Sequence, residues 1–298
     1  MTSPEPRTRV PLGAVGFVIV GLLCQEIGAS IAVLVFPQVG PAGMVTLRLV
    51  FSAAILMAVA RPKLRGIPPR SWIVLVLFGL TLGAMNLLFY ESIARIHLGA
   101  AVTIEVLGPL VLSVIIARRA IAWLWAGLAF LGVALLGQGG LGDLSLDGVL
   151  FAAAAGVMWA LYILASRATG QVIEGIGGLA IAMVIGSVVA LPFGIGQAGV
   201  ALLDPVVLAL GAAVALLSSA IPYALELIAL RRISAATFGV LMSSSPALAT
   251  AAGFVILQQQ IGVLEAVGIV LVIIASVGAV RMAPPPPTVA AVIEETPP

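Results

Sequence analysis

Apolar segments of about 20 residues follow one another almost without interruption from residue 11 to residue 281. A segment of about 20 apolar residues is long enough to cross the hydrocarbon core of a membrane as an α-helix. Only 9% of the 298 residues are charged, whereas a soluble chain typically carries about 25%. Because so few charges cannot cover a water-exposed surface, most of the exterior must face lipid. The sequence therefore predicts an all-α integral membrane protein.

Charged and turn-forming residues divide this stretch into about ten predicted transmembrane helices. We place them at residues 11–35, 41–60, 71–94, 98–117, 121–141, 147–166, 173–196, 203–230, 234–257 and 261–281. Residues 1–10 are short and polar, and they predict an N-terminal tail. Residues 282–298 begin with a run of prolines, which lack a backbone N–H and break helices, so this segment predicts a disordered tail.

The distribution of basic residues sets the predicted orientation. With the N-terminus in the cytoplasm, twelve of the 14 Lys and Arg residues fall on the cytoplasmic side, as the positive-inside rule requires. An even number of spans then places the C-terminus, and with it both tails, in the cytoplasm. The twelve residues are Arg7, Arg9, Arg61, Lys63, Arg65, Arg70, Arg118, Arg119, Arg167, Arg231, Arg232 and Arg281.

An internal similarity indicates a duplication. Residues 95–109 align without gaps with residues 232–246, at an offset of 137 residues, and in both copies a basic joint precedes a helix with proline at the same distance. The offset corresponds to five spans, which predicts one five-helix repeat over 11–141 and another over 147–281. Because five is odd, the second repeat enters the membrane in the opposite sense. Inverted repeats enclose a cavity near the midplane and suit alternating access.

Three ionisable residues lie well inside predicted spans: Glu26, Arg48 and Glu105. Each costs about 2.5–3.5 kcal/mol to insert, so each requires a partner or a role. All three lie somewhat outward of the centre of their spans, and we expect them to share one cavity. Glu26 and Arg48 are equally interpretable as a structural ion pair that locks two helices. For Glu105 we favour binding of a substrate ammonium group or exchange of a proton.

Further polar, aromatic and proline residues extend the candidate site, although each also fits ordinary helix packing. Prolines inside spans are expected to kink their helices and act as hinges. The hydroxyls of residues 243–245 are expected to bond back to their own helix. The polar and aromatic candidates are Gln25, Asn86, Tyr90, Trp159, Tyr162, Ser219 and Tyr223, and the hinge candidates are Pro109, Pro222 and Pro246.

The composition argues against other classes of function. Cys24 and His97 are each alone, which leaves no metal site and no cofactor to predict, and the sequence has no G-x4-GK[ST] loop for a nucleotide. A membrane-embedded enzyme needs a catalytic cluster that this sequence does not supply. The net charge of +2 reflects topology and does not indicate nucleic acid. We therefore predict a non-enzymatic transporter of a small solute, with the lipid bilayer and a coupling proton as its other partners.

Three stretches, residues 27–49, 85–119 and 218–253, resemble the drug/metabolite transporter superfamily (EamA-type), and within it the bacterial threonine/homoserine exporter branch. The resemblance covers roughly residues 11–281. Glu105 matches the acidic position of the family's E-x-x-GPL motif, and Arg48 matches the arginine of its LR pair. Tyr223 and Glu226 match the tyrosine and the glutamate of its PY-x-x-E motif. The resemblance implies ten helices in two repeats and a proton-coupled exporter of small hydrophilic amino acids in the bacterial inner membrane.

This chain departs from the family pattern at three places. It has Ser245 where the family often has glutamate, Gln258-Gln259 where Gly-Glu is usual, and Glu26 where a neutral residue is usual. These departures leave a second transport function open, namely efflux of another metabolite or a drug-like cation. The exact substrate, the coupling ion and the choice between monomer and homodimer are not determined by the sequence.

Overall fold

The computed structural model describes residues 12–117, 120–136, 145–173, 175–230, 232 and 235–282, and within these ranges every regular element is helical. The predicted N-terminal tail and almost all of the predicted C-terminal tail lie outside the described residues. The helices are α1 (Leu12–Ala60), α2 (Pro69–Ile93), α3 (Leu98–Glu105), α4 (Leu107–Ala117), α5 (Ala120–Leu136), α6 (Leu146–Gly170), α7 (Gly177–Ala198), α8 (Pro205–Ala215), α9 (Ile221–Leu230), α10 (Ala235–Met242), α11 (Ser245–Leu257) and α12 (Val263–Met282).

Helix α1 contains the first two predicted spans joined end to end. Its 49 residues would extend about 73 Å, more than twice the thickness of a hydrocarbon core. The helical geometry is interrupted at Gly40, where φ is 69° and ψ is 170°. The backbone N–H of Ala42 just after the bend donates to Gln197 Oε1 at 2.8 Å. The loop predicted between residues 36 and 40 is therefore wrong, because a single glycine makes the turn.

Two of the predicted spans are each broken in the middle, and the breaks correspond. Span 98–117 divides into α3 and α4 at Val106, and span 234–257 divides into α10 and α11 at Ser243 and Ser244. Helix α10 begins and ends 137 residues after α3, the offset found in the sequence (Leu98 to Ala235, Glu105 to Met242). Pro109 and Pro246 follow these breaks within the first turn of the next segment, where a proline is tolerated.

The eighth predicted span is interrupted in a different way. A π-helical segment, Leu216–Ala220, separates α8 from α9, and Pro222 is the second residue after it. All three proline positions predicted as kinks thus lie beside a break in regular α-helix. The hinge motion itself remains a prediction.

The described helices support a count of about ten spans. Eight continuous helices or joined segments are long and apolar enough to cross a membrane, and α1 among them accounts for two spans. Helix α5 is shorter, at 17 residues, and the remainder of its predicted span reaches residues outside the described ranges. The seventh span begins at Gly177, four residues later than predicted.

Helices of the two predicted repeats pack directly on each other. Helix α1 lies along three helices, α7, α8 and α9. Helix α2 lies along α6 and α7, and helix α5 lies along α12. Glycines permit close approach of these helices: a Cβ added to Gly83 would lie 3.0 Å from Gly186 Cα. The candidate site is therefore enclosed by helices from both parts of the chain, while the division into repeats at 141 and 147 remains a prediction.

Candidate functional site

Arg48 lies in the second part of α1 and is held by neutral acceptors. Its Nη1 donates to Tyr90 Oη at 3.2 Å, and its Nη2 donates to the backbone carbonyl oxygen of Ser218 at 3.2 Å. The guanidinium carbon also lies 5.4 Å from the centroid of the Tyr90 ring. Nε is buried without a hydrogen-bond partner among the described residues. A guanidinium has five N–H donors, so Arg48 keeps donors that these contacts do not use.

The sequence around Pro222 explains why the carbonyl of Ser218 is available. In an α-helix this carbonyl would accept from the N–H of residue 222, but proline has no N–H. The π-helical segment that begins at Leu216 widens the helix at the same place. Arg48 therefore donates to a carbonyl that lacks its usual α-helical donor, and the guanidinium is fixed between α1, α2 and the π segment.

Glu26 is buried, at 2% exposure, and its partner comes from α11. Ser245 Oγ donates to Glu26 Oε1 at 2.9 Å. No carboxylate oxygen of the described residues lies within 4.0 Å of an Arg48 nitrogen. Glu26 is turned toward the break between α10 and α11 and does not contact Arg48 directly, although the two charges lie within electrostatic range; a structural role for this pair remains a prediction.

Glu105 is the last residue of α3, at the break in the fourth span. It lies within electrostatic range of both Glu26 and Arg48, whereas a cavity shared by the three residues remains a prediction. The backbone of Glu105 is packed against Gly156 of α6, where a Cβ would lie 2.6 Å from its carbonyl oxygen. Its side chain is half-buried and forms no salt bridge within the described residues.

Two tyrosines extend the group toward α6 and α9. The Tyr162 and Tyr223 side chains interact with each other, and both lie within electrostatic range of Glu226. Tyr223 is also within range of Arg48. The Tyr162 ring packs on Phe78 with centroids 5.1 Å apart. These interactions link half-buried side chains of α6 and α9 to Arg48 of α1.

Other predicted site residues do not join these contacts. Asn86 donates from Nδ2 to the carbonyl of Leu82 in its own helix at 2.9 Å, and Trp159 packs against the hydrophobic core. Gln25 is half-buried and has no hydrogen-bond partner among the described residues. Ser219 is fully buried, and its Oγ likewise has none there. For Asn86 and Trp159 the structure favours the packing interpretation.

Ser218 and Ser245 are contact residues that sequence reasoning missed. The hydroxyls of Ser243 and Ser244 bond back to their own helix, as expected, but Ser245 bonds Glu26 instead. The available signal was proline: Pro222 frees the carbonyl four residues before it, and Pro246 starts the segment that presents Ser245. Within the described ranges, no three His, Cys, Asp or Glu side chains gather in a way that could hold a metal ion.

Ionisable side chains gathered at helix breaks inside an apolar helical bundle are the arrangement of multi-pass membrane transporters. The EamA-like transporter family model matches residues 146–281. Threonine/homoserine exporters RhtA of Salmonella typhimurium (strain LT2) and Escherichia coli (strain K12) are each 39% identical over 254 residues, covering 84% of this chain and 85% of the relative. The chain belongs to the EamA-like transporter family, and it is a multi-pass protein of the bacterial inner membrane.

A solved crystal structure has the same fold. It superposes with a TM-score of 0.58 at 19% sequence identity, covering 90% of this chain and 97% of that chain. At this identity the likeness concerns the fold alone. The family match covers nearly the same residues as the second predicted five-helix repeat.

Proposed function

We propose that this transporter exports small hydrophilic amino acids, of the threonine and homoserine type, by alternating access coupled to protons. The observation that carries the proposal is a half-buried arginine with unused donors, surrounded by carboxylates that it does not contact. The relatives named as threonine/homoserine exporters support the substrate class.

The charges match the two ends of an amino acid. A zwitterion needs a cationic group for its carboxylate and an anionic group for its ammonium. Arg48, whose Nε has no partner among the described residues, is assigned to the substrate carboxylate, since guanidinium binds carboxylates in a planar, two-pronged geometry. Glu105, which has no salt-bridge partner there, is assigned to the ammonium group.

The helix breaks support alternating access. Glu105 ends α3 at one break, and Ser245, the partner of Glu26, begins α11 at the other. Discontinuous helices near the midplane commonly form the substrate and ion sites of transporters, because their free backbone groups and mobile ends serve both binding and movement. A change at either break would alter the surroundings of a carboxylate.

Proton coupling is proposed from the same carboxylates. The sequence has no nucleotide-binding loop, so the energy for export must come from an ion gradient or from an exchanged solute. Glu105 and Glu26 lie within electrostatic range of each other and of Arg48. A substrate ammonium and a proton would therefore compete for the same negative charge, which is a simple way to link their movements.

The proposal is tested by counterflow in proteoliposomes with a panel of amino acids and an imposed pH gradient. We expect threonine and homoserine to exchange, and Glu105→Gln to abolish proton-driven transport. Arg95→Gln is the matched control, because Arg95 is paired with Glu91 away from the site. Wild-type rates in Glu105→Gln would remove Glu105 from the mechanism. In cells, overexpression should relieve the toxicity of external threonine or homoserine, and unchanged intracellular pools would contradict the amino-acid assignment.

A second candidate is efflux of another metabolite or a drug-like cation. One observation favours it, namely the excess of negative over positive charge at the site. Three carboxylates, those of Glu26, Glu105 and Glu226, lie within electrostatic range of site residues, whereas Arg48 is the one guanidinium among these groups. Two tyrosines in the same group could also face a cation. In the counterflow assay, exchange of organic cations without exchange of zwitterionic amino acids would select this candidate.

A further inference from the structure

A groove opens on the predicted cytoplasmic face, away from Arg48 and Glu105. It encloses about 650 Å³ between the connection from α1 to α2 and the connection from α6 to α7. The two connections touch, since a Cβ added to Gly177 would lie 3.3 Å from Pro62 Cβ. None of the residues that line this groove belongs to the candidate transport site.

One wall of the groove is strongly basic. Arg61, Lys63 and Arg65 line it, and all three are exposed. No carboxylate oxygen of the described residues lies within 4.0 Å of their charged nitrogens. Residues 59–70 carry four basic residues and no acid in the sequence, whereas the other connection contributes Glu174, which is outside the described residues. The groove therefore presents an excess of positive charge.

A second part of the groove lining forms an apolar wall. Ile67, Val172, Ile173 and Ile176 line it, and Val172 is 42% exposed. Trp72 lies in the first turn of α2, four residues after Pro68, which lines the groove. Tryptophan is enriched where the hydrocarbon core of a membrane meets the headgroups. A soluble anion would use only the basic wall, whereas a lipid would use both walls.

We propose that this basic groove binds the headgroup of an anionic phospholipid of the inner leaflet. The phosphate lies against Arg61, Lys63 and Arg65, and the first part of the acyl chains follows the apolar wall. Basic pockets between helices on the cytoplasmic side suit such headgroups, because cations and apolar surface meet there. The inference is independent of what the transporter exports.

The test measures lipid binding to the purified full-length protein, stripped of lipid in a neutral detergent and examined by native mass spectrometry. Phosphatidylglycerol is titrated against phosphatidylcholine. One basic side chain near an anionic surface contributes roughly fivefold in affinity, so neutralising three should weaken phosphatidylglycerol binding on the order of 100-fold. The groove variant combines Arg61→Gln, Lys63→Gln and Arg65→Gln.

The matched control removes the same number of charges from the same predicted face but outside the groove. It combines Arg167→Gln, Arg232→Gln and Arg281→Gln, none of which lines the groove. We expect this control to bind phosphatidylglycerol within a few-fold of wild type. Equal loss in both triple variants would overturn the proposal, because net charge alone would then explain binding. Equal binding of the two lipids by wild type would also overturn it.

Two further measurements keep the result interpretable. If the groove variant does not fold, Lys63→Gln alone should still lose about fivefold, and unchanged binding there would count against the groove. Glycerol phosphate, which carries the headgroup chemistry without acyl chains, should displace the lipid only weakly. Displacement by glycerol phosphate at lipid-like concentrations would assign the groove to a soluble anion instead.

Discussion

The contact between Glu26 and Ser245 offers a test in which a carboxylate is moved from one helix to another. The two residues are 219 positions apart, both are buried, and Ser245 Oγ donates to Glu26 Oε1 at 2.9 Å. The variants are Glu26→Ser, Ser245→Glu and the double exchange. The double exchange keeps the same two side chains, so the summed volume at the contact does not change.

The expected energies follow from the contact. A hydrogen bond to a charged group contributes about 1.5–3 kcal/mol, and Glu26→Ser removes the acceptor. Ser245→Glu places a second carboxylate beside Glu26, and two such groups at one site disfavour each other's charge. Each single variant should therefore lower the free energy of unfolding by about 1.5–3 kcal/mol. The double exchange should recover most of the stability lost in either single variant, so the coupling energy should approach the sum of the two single losses, about 3–6 kcal/mol.

The assay is a double-mutant cycle on stability in detergent, followed by counterflow for the variants that fold. A control exchange combines Glu26→Ser with Ser243→Glu, because the Ser243 hydroxyl bonds Gly239 and not Glu26. Only the exchange at position 245 should recover stability and transport. If the effects of Glu26→Ser and Ser245→Glu simply add, the contact has no energetic value and the reasoning is refuted.

Three other changes test separate contacts. Tyr90→Phe removes one acceptor of Arg48 but keeps the ring beside it, so counterflow should fall about tenfold with little loss of thermal stability; an unchanged rate would show that this hydrogen bond does not position Arg48. Gln259→Ala removes the side chain that caps the start of α3, where its Oε1 accepts from a backbone N–H at 3.1 Å, and should cost about 1 kcal/mol in a denaturation assay; no loss would mean that water replaces the cap. Gly108→Ala would press a methyl group against the backbone of α6 and should destabilise by about 1–3 kcal/mol, whereas Gly127→Ala, with nothing within 4 Å, is the control; equal melting temperatures would contradict the observed packing.

Much of the architecture could be predicted because its causes are local. Span length follows from the hydrocarbon thickness, and orientation follows from where Lys and Arg lie along the chain. The 137-residue offset was readable because both copies keep a basic joint and a proline, and the same offset separates α3 from α10. The bend at Gly40 was missed, because adjacent prolines indicated a loop where one glycine was sufficient.

Three ionisable residues inside the spans could be identified from the sequence, but their contacts could not, and Glu265, which is 2% exposed, was not among them. Insertion into lipid is costly for Glu26, Arg48 and Glu105 in any arrangement, so their presence alone indicated a site. Pairing depends on how each helix is rotated about its axis. In a soluble protein the apolar face reveals that rotation. In a membrane protein the lipid-facing and core-facing surfaces are both apolar, so the sequence gives no such signal.

The sequence by itself therefore determined a multi-pass helical bundle and indicated three ionisable residues inside it, while its direction in the membrane remains a prediction. The tertiary structure decided that Arg48 contacts Tyr90 and the carbonyl freed by Pro222, and that Glu26 contacts Ser245 across the helix break. The physical reason is that hydropathy acts on each segment separately, whereas a hydrogen bond requires two particular atoms within about 3 Å.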